Sequence, residues 1–95
     1  MKLEVSSEVI EWRGPAPFYF LPISGGSADQ IREAARLVSY GWGVVPVTAE
    51  IEDVSWQTSL MPRSGSYLLP LKDDIRRAAG IELGQSLTVV LRISA

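Results

Sequence analysis

The sequence predicts a single mainly β domain with two helices, closed as a barrel from two similar halves. Three observations carry that prediction. The chain has 95 residues, enough for one domain and not two. Six short apolar runs are bounded by Gly, Pro and Asp turn signals, and only two stretches show helical spacing. The order strand–strand–helix–strand then occurs twice.

Leu3 to Arg13 is the first expected strand, with Val5, Val9, Ile10 and Trp12 set among Glu4, Glu8, Glu11 and Arg13. Gly14-Pro15 signals a turn. Phe18-Tyr19-Phe20-Leu21 is the second strand, expected to end at Pro22. After the Ser24-Gly25-Gly26 loop, Ser27 suits an N-cap and Gln30 stands three residues on, a capping-box spacing. The helix is expected from Ala28 to Ser39, with Ile31, Ala34, Ala35 and Val38 on its apolar face. Gly41-Trp42-Gly43 ends it.

Val44 to Glu52 alternates as a strand, with Pro46 expected at an edge or bulge because it lacks a ladder donor. Val54 to Met61 follows the Asp53 turn. Pro62 to Gly65 is a further turn, and Tyr67-Leu68-Leu69 is a strand expected to close at Pro70. Asp73 to Ala79 is a short helix: acids suit its positive start, Arg76 and Arg77 its end, and Gly80 its stop. Leu87 to Ile93 is the last strand.

The halves match residue by residue in places. Tyr19 to Ile23 answers Tyr67 to Leu71, and Asp29 to Ala35 is identical to Asp73 to Ala79 at five of seven positions. Trp12 and Trp56 each precede these segments. One domain spanning 1–95 is therefore expected, with repeats at about 3–52 and 54–93 and neither half closing its sheet alone.

Gly65 to Ile93 resembles the swapped-hairpin segment of AbrB/MazE-type proteins, through Gly65, Leu69, Pro70, Ile75, Arg76 and Gly84. With Trp56, Ser59-Leu60 and Pro62 ahead of it, nearly the whole chain resembles the bacterial domain of unknown function 1905 family. The resemblance implies a double-split β-barrel capped by helices, and no established activity. AbrB-type factors build that barrel from two chains. The repeat implies that one chain does so here, so a monomer is expected, with a homodimer as the alternative. Two positions depart from the AbrB-type pattern: Gly65-Ser66 stands for Gly-Arg and Gly84-Gln85 for Gly-Asp.

Composition closes several functions. There is no Cys and no His, so thiolate chemistry and the commonest neutral-pH base and metal ligand are missing. The net charge of −2 is unlike that of a basic nucleic-acid domain. No apolar run reaches the length of a transmembrane helix and the N-terminus lacks a signal-peptide pattern, so a cytoplasmic protein is expected. No catalytic residue, metal ligand or cofactor is expected. Glu50 and Glu52 could share one strand face as a carboxylate pair, and Ser24-Gly25-Gly26-Ser27 could cradle an anion; a solvated edge and a plain loop explain them better.

Aromatic residues are plentiful for so small a core. Trp42, Arg63 and Tyr67 form the candidate site, for a small anionic or aromatic ligand at one barrel end. The favoured reading is a non-enzymatic module binding a small molecule or a protein. The alternative is an AbrB-like DNA-binding regulator, whose phosphate-facing patch would need Arg63, Lys72, Arg76 and Arg77. A small enzyme working with carboxylates alone is the third.

Overall fold

The computed structural model describes residues 1–12, 18–38 and 44–93. Among them lie seven strands and two helices: β1 (Lys2–Glu8), β2 (Ile10–Trp12), β3 (Phe18–Ile23), α1 (Gly25–Val38), β4 (Val45–Ile51), β5 (Val54–Arg63), β6 (Ser66–Leu71), α2 (Asp73–Ala79) and β7 (Ser86–Arg92). The strands pair in the order β1-β7-β4-β5-β6-β3-β2, and every pair is antiparallel.

The expected first strand is two strands, β1 and β2, parted by Val9 alone. They stand at opposite ends of the strand order yet are adjacent in the chain, so the sheet must curl. Val9 is buried at the bend. Its N–H donates to the Gln85 carbonyl at 2.9 Å, and its carbonyl accepts from the Gly84 N–H at 3.0 Å. No backbone polar group of Val9 is left open at the break.

Pro22 and Pro70 do not end their strands; β3 runs on to Ile23 and β6 to Leu71. The pairing explains why. The β2 ladder covers only residues 18–20 of β3, and the β5 ladder only 66–68 of β6. Pro46 lies outside the β4–β7 ladder, which covers 48–50, and Pro62 outside the β4–β5 ladder, which ends at Leu60. Each proline therefore has a strand partner on one side, where a missing N–H can be accommodated.

Helix α1 begins at Gly25, not Ala28, and its first bond joins the Ala28 N–H to the Ser24 carbonyl at 3.5 Å. Gly25 takes φ +64°, open to glycine, and lets the chain turn from β3 straight into the helix. Ser27 thus lies inside the first turn and does not cap it. Ile31 and Ala35 are buried as the helical spacing requires, with Ala34 packed beside them. Helix α2 has its expected bounds, and Gly80 follows it at φ +66° with its N–H turned back to the Arg76 carbonyl.

The core lies on the inner face of the curled sheet: Val5 and Leu21, then Val45, Val47 and Leu60, then Leu69, Val89 and Leu91, closed over by Ala28, Ile31 and Ile81. At about 1.5–3 kcal/mol per fully buried aliphatic side chain, this layer dominates stability. The outer face differs by region. Across β1, β7 and β4 it is polar, with Ser6 and Thr88 hydroxyls 2.8 Å apart and Glu4, Thr48, Glu50 and Arg92 alongside. Across β2, β3, β6 and the end of β5 it is apolar.

Candidate functional site

Alternation along paired strands puts Trp12, Phe18, Phe20, Leu68, Met61 and Arg63 on one face. That face is turned away from Tyr19, Leu21, Tyr67 and Leu69. Phe20 and Leu68 are buried, yet they lie outside the main core cluster, on the other side of the sheet from it. Trp12 is 46% exposed, Phe18 59% and Met61 37%. Together with Pro62 these residues line a cleft of about 360 Å³, a size within the small-molecule range.

The Arg63 guanidinium lies over the Trp12 ring, 4.2 Å from its centroid. β5 and β2 are not neighbours; β6 and β3 lie between them. The stack therefore reaches across two strands, which requires this face to curl toward itself. Phe18 and Phe20 flank it with ring centroids 6.4 Å apart and planes tilted by 41°.

The β5–β6 turn that presents Arg63 is set by its own sequence. Ser64 has φ +47° and Gly65 φ +79°, and Arg63 pairs with Ser66 across them. Two central residues at positive φ fit the two-residue turn that matches strand twist. Helix α1 holds the turn from the side: Arg32 donates to the Gly65 carbonyl at 2.6 Å and to Asp29 at 2.8 Å.

The expected trio is only partly brought together. Trp42 lies outside the described residues. Arg63 and Tyr67 share the β5–β6 hairpin, but Arg63 is exposed and Tyr67 is buried on the inner face, 6% exposed, as part of the core. The residue paired with Tyr67 is Pro62, one step from Arg63, and one step reverses the face. The aromatic partner of Arg63 is Trp12.

The basic set is also divided. Arg76 stacks on Tyr19 at 3.9 Å, donates to the Leu71 carbonyl at 3.1 Å and pairs with Asp73, so it fastens α2 to the sheet. Lys72 and Arg77 are exposed beside it. The carboxylate pair is not formed on a strand, because β4 ends at Ile51 and Glu52 stands in the turn at φ +52°. Gly25 and Gly26 open helix α1, with Gly25 at φ +64°, so this segment is the helix's first turn and not a separate loop. Among the described residues no group of three or more Asp and Glu is placed to hold a metal ion, and no helix is long and apolar enough to cross a membrane.

One sequence signal could have found the apolar outer face. Phe18-Tyr19-Phe20-Leu21 and Tyr67-Leu68-Leu69 do not alternate, and an unbroken apolar strand has apolar residues on both faces.

A small, mainly β domain with an aromatic cleft on one outer face is thus defined. Residues 6–91 match the family described as Domain of unknown function (DUF1905), and the chain belongs to that family. No curated protein matches it.

Proposed function

We propose that this chain is a non-enzymatic binding domain, and that the outer cleft between Trp12, Phe20, Leu68 and Arg63 receives a small ligand with an apolar, aromatic body. One observation carries the reading: a 4.2 Å Arg63–Trp12 stack bridges non-neighbouring strands over buried Phe20 and Leu68. An apolar floor with one polar group placed above it is the usual make-up of a small-molecule site. Backbone NMR titration with a library of aromatic fragments tests it. Amides of β2, β3 and β6 are expected to shift together, and Leu68→Asp is expected to abolish those shifts. Fragments that shift only residues elsewhere, or shift none, would remove the reading.

The curled sheet is, on the same reading, a double-split barrel with its halves related by a pseudo-twofold axis. Exchange of the halves turns β1–β7 into β5–β4 and β2–β3 into β6–β5, while β3–β6 and β4–β7 map onto themselves. That self-consistency supports the internal repeat and a monomer closed by its own two halves. A mass of 10.4 kDa in native mass spectrometry is the expected result; a dimer would count against self-closure.

A further inference from the structure

The geometry points to an anion as the second half of the ligand: we infer that the cleft takes a small aryl anion, a flat aromatic body carrying a carboxylate or sulfonate, with Arg63 as its receptor. This rests on the cleft being the binding site proposed above. Among the described residues two arginines are stacked on aromatic rings, Arg63 and Arg76, and they differ in what their N–H groups do. Those of Arg76 are engaged by the Leu71 carbonyl and Asp73. Arg63 has neither a hydrogen bond nor a carboxylate partner among the described residues. Stacking uses the face of a guanidinium and leaves its edge, with five donors, free. Trp12 thus holds a planar cation in place with its donors unengaged, at the rim of a cleft whose other lining is apolar or aromatic.

Charge complementarity then selects the ligand. A neutral aromatic would fill the floor and leave the Arg63 donors to water. A carboxylate or sulfonate can accept two parallel hydrogen bonds from the guanidinium edge while its ring lies against Phe18 and Phe20. The cleft volume of about 360 Å³ is of small-molecule size.

A matched pair of probes separates the two halves of the argument. N-phenyl-1-naphthylamine and 8-anilino-1-naphthalenesulfonate share their rings and differ by the sulfonate. Both are fluorescent and can be titrated into the intact protein. The anionic probe is expected to bind about fivefold more tightly than the neutral one at low salt, an advantage of the size one exposed ion pair supplies. Arg63→Gln should erase that advantage, so that the variant binds the two probes equally. Arg77→Gln, which alters an exposed arginine outside the cleft, should leave the advantage in place. Equal affinity for the two probes, or an advantage that survives Arg63→Gln, overturns the anion receptor while leaving the cleft as a site. Loss of both probes from the wild-type protein, or binding that ignores Leu68→Asp, overturns the cleft itself and the inference with it.

Discussion

Trp12 and Trp56 carry the same ring into opposite surroundings. Trp12 lies half in solvent beneath Arg63, where an exposed cation–π contact contributes about 0.5–1 kcal/mol. Trp56 pairs with Ala49 and packs against the core, and its indole Nε1 is buried without an acceptor among the described residues. A buried donor left unsatisfied costs about 1–3 kcal/mol. Trp56→Phe removes that donor and keeps an aromatic ring, so the two effects oppose one another. Urea unfolding of Trp56→Phe is expected to lie within about 1 kcal/mol of the wild type. A loss well above about 2 kcal/mol would mean that the indole N–H is satisfied and contributes to stability. At this scale the sequence carried Arg63 but not its partner. The turn signals put Arg63 inside a turn from Pro62 to Gly65, whereas β5 runs on to Arg63 and only Ser64 and Gly65 make the turn; Tyr67 joined the expected site at a barrel end and instead faces the core. Which face a strand residue takes depends on register, and register is a property of the pairing strand.

Elements were legible where local chemistry decides them. Helix α2 was placed to the residue because acids begin it and Gly80 ends it. Gly80 at φ +66° is the one residue there that needs freedom from a Cβ, and a Cβ built on it would meet nothing within 4 Å. The cost of a substitution is therefore backbone strain alone. Gly80→Ala is expected to destabilise by about 1–2 kcal/mol, the left-handed penalty, and Gly80→Asn by less. Thermal unfolding of the two variants checks the order; equal losses would point to a steric cause. Strand ends were misread where proline stood, at Pro22, Pro62 and Pro70. The rule that proline ends a strand assumes partners on both sides, and here the partner on one side has already stopped. The start of α1 was misread for a related reason: Gly25 makes possible a sharper entry than Ser27 alone suggests.

At the scale of the molecule, the sheet belongs to neither half. Among the described residues, the only ladder within 1–53 is β2–β3, three residues on each strand, and within 54–95 it is β5–β6, again three on each. The longer ladders, β1 with β7, β4 with β5 and β3 with β6, all cross between halves, and so does the three-residue ladder of β4 with β7. The core crosses with them, since Val5, Leu21 and Val47 meet Leu60, Leu69 and Val89. Isolated three-residue hairpins are not stable in water. The similarity of residues 19–23 to 67–71 and of 29–35 to 73–79 gave this dependence as an expectation; the pairing partners themselves were beyond its reach. Peptides covering 1–53 and 54–95 are each expected to lack β-sheet circular dichroism, and their equimolar mixture to regain it with the cooperative unfolding of the intact chain. A single fragment that unfolds cooperatively by itself would break the argument. In that event its sheet would have to be rebuilt from ladders that the intact molecule does not contain.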